Sequence, residues 1–181
     1  MIANFDQLLQ VVKANNKKRI VAAFANDSHT IGAVSMAVDH GFVDGILVGN
    51  EEIMKKVCKE EGIDINKFRI VQEADEAKAC AKAVALINNG EGDILMKGLC
   101  STDKYMRAIL NKDKGLMPPK AVLSHVTVIS VPTYHKLLIV GDVAVITAPD
   151  LKQKVAITSY VINTAQCLGI EKPKVAILAA T

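Results

Sequence analysis

Tryptophan is absent from this sequence and aromatic residues make up only 4% of it, although half of its 181 residues are hydrophobic. The core must therefore be built from aliphatic side chains, a composition typical of parallel β-sheets covered by helices. Charged residues account for 23% of the chain, which favours a folded protein over a disordered one. The net charge is only +3 and the lysines are scattered, so nucleic-acid binding is not expected.

Cysteine is scarce, and its spacing excludes the common cysteine-based sites. The four cysteines stand far apart, form no CxxC pair and have no histidine at ligand spacing, so we expect no metal site and no disulfide framework. Reduced thiols favour a cytoplasmic protein. Cys100 precedes a predicted helix, where it is either a reactive thiol or a small space-filling residue.

Long apolar runs are also missing. The start of the chain has no basic segment followed by an apolar stretch, so no signal peptide is expected. The most apolar segment, 137–148, is too short to span a bilayer and is interrupted by Asp142. We therefore expect no membrane association.

Short apolar runs recur at a regular interval and predict a parallel sheet. Strands are predicted at 19–25, 43–48, 68–71 and 93–96, a period of about 25 residues that fits one strand and one covering helix. Capping residues and apolar spacing predict helices that begin near residues 5, 28, 50, 75, 101 and 151. The fold class is therefore α/β, with three layers (α/β/α) in which helices cover both faces of a mostly parallel sheet.

The pattern changes after residue 112. The apolar runs 121–131 and 137–146 are joined by too few residues for a crossover helix, so they predict an antiparallel hairpin attached to the parallel sheet. A last strand is predicted at 175–178. Because one helix and one strand cannot bury a core, we expect a first domain at 1–149 and the beginning of a second at 150–181, as in the front part of a longer protein.

The segment 93–107, DILMKGLCSTDKYMR, is a candidate anion site. A strand is followed by Lys97-Gly98, and Ser101-Thr102 then opens a helix that carries Arg107. Free N–H groups at a helix N-terminus, hydroxyls and two cations would suit a phosphate. The alternative is an ordinary strand–turn–helix with an Asp103–Arg107 pair on a solvated face. No GxGxxG, P-loop or GxSxG motif is present.

Polar residues interrupt the two hairpin runs. Ser124-His125 lies in the first and Asp142 in the second. A carboxylate in a buried strand needs hydrogen bonds or a site role, so Asp142 either binds neighbouring N–H groups or acts in catalysis. His125 is either a hydrogen-bonded core or edge residue or a site residue.

Several of these stretches together resemble the phosphate acetyl/butyryl transferase family. They are RIVAAFANDSHTIGAV, FVDGILVGN, ILMKGLCSTDKYMRAILNK, VLSHVTVISVPTYHKLLIVGDVAVITAPDLKQKVAI and LGIEKPKVAILAAT, which cover nearly the whole chain. The resemblance implies an acyltransferase that moves a butyryl or acetyl group between coenzyme A and inorganic phosphate. It also implies a fold similar to isocitrate and isopropylmalate dehydrogenases, with two α/β/α domains, and a homo-oligomer.

The resemblance also implies site residues. The family's phosphate-binding hydroxyls and arginine correspond to Ser101, Thr102 and Arg107, beside Lys97 and Gly98. Ser124 and Asp142 correspond to hairpin positions that face the cleft, with Asp142 a catalytic candidate. His125, next to Ser124, is a further candidate for substrate binding. The family's further Ser-Arg pair and Asp are expected downstream of Thr181, beyond this sequence.

The implied reaction needs no metal or redox cofactor, and coenzyme A takes part as a substrate. The expected binding partners of the protein are therefore small molecules, acyl-CoA and phosphate. Two alternatives stay open. One is a dehydrogenase of the related two-domain fold, which would require clustered acidic metal ligands. The other is a non-catalytic fragment that binds coenzyme A or phosphate.

Overall fold

The regularly spaced apolar runs form one parallel sheet. In the computed structural model, which describes residues 1–178, the strands have the following bounds. They are β1 (Lys18–Ala23), β2 (Val43–Gly49), β3 (Phe68–Gln72) and β4 (Ile94–Lys97). Their order is β3-β2-β1-β4, and every neighbouring pair is parallel. The strands predicted near 19, 43, 68 and 93 are thus confirmed.

Side-chain caps determine where most helices begin. The helices are α1 (Phe5–Ala14), α2 (Ser28–Asp39), α3 (Glu51–Glu60), α4 (Glu76–Asn88), α5 (Thr102–Ile109) and α6 (Leu151–Cys167). A short 3-10 turn, Ile65–Lys67, precedes β3. In the five helices from α2 to α6 the residue before the first turn accepts a backbone N–H through its side chain; these caps are Asp27, Asn50, Asp75, Ser101 and Asp150. Such caps satisfy N–H groups that lack a partner within the helix.

Helices cover both faces of the parallel sheet. Alternate residues of β1 point to opposite sides, so Val21 and Ala23 belong to one core and Ala22 to the other. The first core contains α4 with part of α5, and the second contains α2 and α3. This layering is the predicted α/β class.

The chain divides into two compact units. The sheet unit is Lys13–Pro118 and the hairpin unit is Met1–Val12 with Pro119–Thr181. In the hairpin unit, β5 (Val126–Ile129) and β6 (Leu138–Gly141) pair in antiparallel fashion, and α6 packs against them. The Tyr160 hydroxyl of α6 donates to the Val122 carbonyl at 2.9 Å. The domain boundary at 149/150 stays a prediction.

Two expectations about strands were wrong. The hairpin forms, but within the described residues it is a separate two-stranded sheet and is not attached to the parallel one. Residues 175–178 are not a strand, and Ile177 and Leu178 are 74% and 88% exposed. Apolar runs indicate where strands can form, but pairing needs a second segment alongside, and sequence spacing does not show whether one is there. Residues 179–181, the end of the segment 150–181 that was expected to begin a second domain, lie outside the described range.

No helix within residues 1–178 combines the length and the hydropathy that crossing a membrane requires.

Candidate functional site

The strand order creates a switch point between β1 and β4. From β1 the chain moves outward through β2 to β3, and α4 then returns it to β4 on the other side of β1. In open parallel sheets, ligands bind outside the carboxyl ends of the strands at such a point. The segments that follow β1 and β4 are therefore the place to look for a site.

Close backbone contacts join these two segments. Gly98 N–H donates to the Ala23 carbonyl and Leu99 N–H to the Phe24 carbonyl, both at 3.0 Å. The backbone of Phe24 has φ +58°, a conformation that residues other than glycine rarely adopt. Such backbone conformations cluster at functional sites. A Cβ on Gly98 would lie 2.7 Å from both carbonyl oxygens, so this position requires glycine.

The N-terminus of α5 leaves two backbone donors open. Ser101 caps the helix, with its Oγ accepting the Lys104 N–H at 3.4 Å. Within the described chain the N–H groups of Thr102 and Asp103 have no hydrogen-bond partner. The Lys97 ammonium is exposed, and within residues 1–178 its one hydrogen-bond acceptor is the Gly98 carbonyl, at 3.4 Å. We call Lys97, Thr102 and the two open N–H groups the anion pole; its partial positive charge and donors suit an oxyanion.

Arg107 lies one turn further along α5. Its Nε donates to Asp103 Oδ2 at 2.8 Å, and the two side chains are 79% and 67% exposed. This is the ion pair that the sequence also allowed. The phosphate role of Arg107 stays a prediction.

Glu76 at the start of α4 was not singled out from the sequence. Its Oε1 accepts the Ser101 N–H at 2.6 Å and its Oε2 accepts from Lys104 Nζ at 2.5 Å. The Lys104 ammonium, together with the Ser101 N–H, lowers the pKa of the Glu76 carboxyl below its usual value. In sequence Glu76 is an ordinary acid in a first helical turn, and nothing local connects it to a helix that begins 26 residues later.

Cys100 directly precedes the Ser101 cap, belongs to the core between the sheet and α4, and is only 1% exposed. Its thiol approaches the Ala23 carbonyl at 3.6 Å, and burial, with the neighbouring Cys100 thiol, raises the pKa of Cys80 to about 12. These contacts favour the space-filling role of Cys100, because buried thiols are unreactive. All four cysteines are free, and among residues 1–178 no group of three His, Cys, Asp or Glu side chains could hold a metal ion.

Ser124, His125 and Asp142 come together in the hairpin unit. Asp142 accepts five hydrogen bonds, from the Ser124 hydroxyl and from the N–H groups of His125, Ala144, Val145 and Ile146. Burial opposes the charged form, but these donors outweigh it and hold the pKa of Asp142 well below its usual range. The bonds favour the structural role of Asp142; a catalytic role stays a prediction.

His125 is half-buried, and its ring nitrogens lie 3.1 and 3.3 Å from Thr127 Oγ1. Its backbone N–H is one of the donors to Asp142, at 3.2 Å. The hydrogen-bonded alternative therefore has a partner in the structure, whereas a substrate contact stays a prediction.

Comparison with known proteins was made for sequence and for fold. The family model described as phosphate acetyl/butaryl transferase matches residues 4–82 and 72–181. A phosphate butyryltransferase of Clostridium acetobutylicum is 38% identical over 99% of this chain, and a phosphate acetyltransferase of Rhizobium meliloti is 33% identical over 98%. The chain spans 60% and 56% of the length of these two relatives.

Two solved structures share the fold of this chain. A branched-chain phosphotransacylase from Enterococcus faecalis superimposes with a TM-score of 0.75 and 25% identity, over 91% of this chain and 56% of that one. The EutD phosphotransacetylase from Staphylococcus aureus, at 17% identity, shares the fold with a TM-score of 0.73 over 92% of this chain and 59% of that one. On these matches, the chain belongs to the phosphate acetyl/butyryl transferase family.

Proposed function

We propose that this protein transfers a short acyl group between coenzyme A and inorganic phosphate, which gives acyl phosphate and free coenzyme A. Its relatives are named phosphate butyryltransferase and phosphate acetyltransferase, which supports the reaction type. The observation that carries the proposal for this chain is the anion pole, whose two N–H groups are open at the switch point of the sheet.

In the proposed complex, phosphate binds at the anion pole. The N–H groups of Thr102 and Asp103 and the Thr102 hydroxyl donate to its oxygens, and Lys97 adds a mobile positive charge. Arg107 exchanges Asp103 for the phosphate, which it contacts through two N–H groups. The exchange is cheap because an exposed ion pair contributes little to stability.

The chemical step joins the coenzyme A sulfur to the acyl carbon. A general base removes the thiol proton, the thiolate attacks the carbonyl carbon of acyl phosphate, and a tetrahedral intermediate forms. The bond between that carbon and the phosphate oxygen then breaks, and phosphate leaves with the electron pair. Because phosphate is the leaving group in one direction and the nucleophile in the other, a site that holds it in place serves both.

Asp142 is a poor candidate for the general base, since its five donors stabilise the carboxylate and weaken it as a base. Ser124 donates its hydroxyl proton to that carboxylate at 2.9 Å.

We propose a two-domain architecture similar to isocitrate and isopropylmalate dehydrogenases, a homo-oligomer, and a cytoplasmic location, which the free thiols support.

Phosphate binding is the first test. Inorganic phosphate titrated into the ¹⁵N-labelled chain should shift the amide signals of Thr102 and Asp103 and saturate them with one dissociation constant. Amide signals at the amino ends of the strands, such as Asp44, serve as the internal control. If phosphate leaves the Thr102 and Asp103 signals in place, the proposed pole is refuted.

Acyl transfer is the second test. Butyryl-CoA with phosphate should release free thiol in proportion to phosphate, and the product should regenerate butyryl-CoA when coenzyme A is added. A non-catalytic phosphate-binding role is the second candidate, because the chain spans only 60% of its butyryltransferase relative. Saturable amide shifts without any thiol release from the 181-residue chain would favour that candidate for this chain.

A further inference from the structure

A fixed negative charge borders the anion pole. The Glu76 carboxylate accepts the Ser101 N–H at 2.6 Å, and the next N–H along the chain, that of Thr102, is open. The side chain of Glu76 is 25% exposed, so it is partly shielded from water, and Lys104 lowers its pKa so that it is ionised at neutral pH. An anion bound at Thr102 is therefore a close neighbour of this carboxylate.

We propose that Glu76 is a specificity-determining residue that makes the anion pole select an oxyanion carrying a proton, such as phosphate, over a fully deprotonated one such as sulfate. This inference rests on the proposed function, since it assigns the selectivity of the same site. A carboxylate repels any anion placed beside it, so Glu76 would weaken binding if the site served only to bind anions in general.

The selectivity follows from hydrogen-bond chemistry. Near neutral pH inorganic phosphate keeps at least one O–H group, which can donate to a carboxylate oxygen and offset the repulsion. Sulfate has the same shape but no proton, so it would face Glu76 with repulsion and no hydrogen bond. Discrimination thus comes from an element that acts against the wrong ligand.

Lys104 completes the arrangement. Its ammonium contacts Glu76 Oε2, while Oε1 accepts the Ser101 N–H. A carboxylate has about four acceptor positions, so it can receive a phosphate O–H without losing either present donor. Two attachments hold the carboxylate beside the pole instead of leaving it free to turn away.

The test compares phosphate with sulfate. Both anions are titrated into the ¹⁵N-labelled 181-residue chain and into Glu76→Gln, with the amide shifts of Thr102 and Asp103 as the readout. Glutamine keeps an oxygen for the Ser101 N–H but loses the charge and offers an N–H donor to sulfate. We expect the preference for phosphate over sulfate to fall about tenfold in this variant, mainly because sulfate binds more tightly. A loss of structure alone would not tighten binding.

Two further variants test whether the change in preference comes from the charge of Glu76. Lys104→Gln keeps an N–H donor that can hold Glu76 Oε2 but removes the cation that partly neutralises the carboxylate, so the preference for phosphate should rise. This variant still tests the proposal if Glu76→Gln fails to fold. Glu60→Gln makes the same charge change in an exposed pair with Lys56 and should leave the preference unchanged.

The outcomes separate two failures. If both anions shift the Thr102 and Asp103 amides but Glu76→Gln keeps the wild-type preference, the role of Glu76 is overturned and the proposed function stands. The same holds if the wild-type chain shows no preference. If phosphate does not shift these amides at all, phosphate binding at the anion pole is refuted, and the proposed role of Glu76 is refuted with it.

Discussion

Arg107 forms an exposed pair with Asp103, so little free energy holds it away from a bound phosphate. Arg107→Ala should raise the KM for phosphate about tenfold while changing the KM for acyl-CoA far less, because the guanidinium contacts only the phosphate in our proposal. Steady-state kinetics with each substrate varied in turn would measure this, and the dissociation constant of phosphate from amide shifts gives an independent value.

Arg69→Ala is the matched control for Arg107, since Arg69 is also an exposed arginine in an ion pair, with Glu91. It should leave both constants unchanged. An equal rise in the two KM values for Arg107→Ala, or no rise in either, would remove the phosphate role of Arg107.

Asp142 is expected to be more important for stability than for catalysis. With an N–H₂ group in place of Oδ2, Asp142→Asn sets a donor against the Ser124 hydroxyl and the N–H groups of His125 and Ile146. We expect a loss of about 2 kcal/mol in the free energy of unfolding, measured by urea denaturation. Amide hydrogens of His125 and Ile146, which lose their acceptor, should also exchange faster.

Glu171→Gln is the control for Asp142→Asn, because Glu171 is an exposed carboxylate of the same unit that makes no hydrogen bond or ion pair among the described residues. It should be neutral. If Asp142→Asn kept full stability yet abolished acyl transfer, the catalytic role would be favoured instead.

At the scale of elements, the junction of β1 with the β4–α5 segment is the most sensitive part of the site. A methyl group on Gly98 would lie 2.7 Å from the carbonyl oxygens of Ala23 and Phe24, which belong to the backbone and cannot swing away. Gly98→Ala should therefore lower the free energy of unfolding by about 1–3 kcal/mol and displace the anion pole. Thermal unfolding and the phosphate titration measure the two effects.

Gly32→Ala is the opposite case. Gly32 lies inside α2, and a Cβ there would have no atom within 4 Å. Alanine should stabilise the helix by about 0.5–1 kcal/mol. Equal stability of the Gly98 and Gly32 variants would show that the junction tolerates a side chain.

For the whole molecule, lowered carboxylate pKa values predict sensitivity to acid. The pKa of Asp93 is held well below its usual range by the side chain of Arg19, and the pKa values of Glu76, Glu91 and Asp142 are also lowered. A carboxyl whose pKa is lower in the folded than in the unfolded state stabilises the fold above its unfolded pKa of about 4, and this contribution is lost as the pH falls through the folded value.

We therefore expect nearly constant stability above about pH 5 and a progressive decrease below about pH 4. Urea midpoints measured by circular dichroism across this range would check it. Asp93→Asn should decrease less steeply on acidification than the wild-type chain, because one of these carboxyls is gone. A midpoint that rose on acidification would contradict the assignment.

The strand–turn–helix at 93–107 was accessible from sequence because its signals are local, and family membership was accessible because long stretches resemble the family. Ser101 caps a helix that starts at the next residue, and Lys97-Gly98 directly follows β4. In the same way, the caps Asp27, Asn50 and Asp150 act on N–H groups within three residues of themselves, so composition over a few positions is enough to locate them.

Glu76 and the partners of Asp142 could not be found in this way. Glu76 meets Ser101 only because α4 returns the chain across the sheet to β4, and Asp142 meets Ser124 only through the pairing of β5 with β6. Both contacts depend on which strands are neighbours, and a linear pattern does not contain that information.

The amino-acid sequence by itself determined the α/β class, the period of the strands and the helix starts, because these follow from side chains acting on their own backbone and from the spacing of apolar runs. The family was determined by the resemblance of whole stretches of the sequence. Only the tertiary structure decided that the hairpin forms its own sheet, that 175–178 is not a strand, and that a carboxylate borders the anion pole. These are outcomes of contacts between distant segments, and their energies depend on the strand order that brings the segments together.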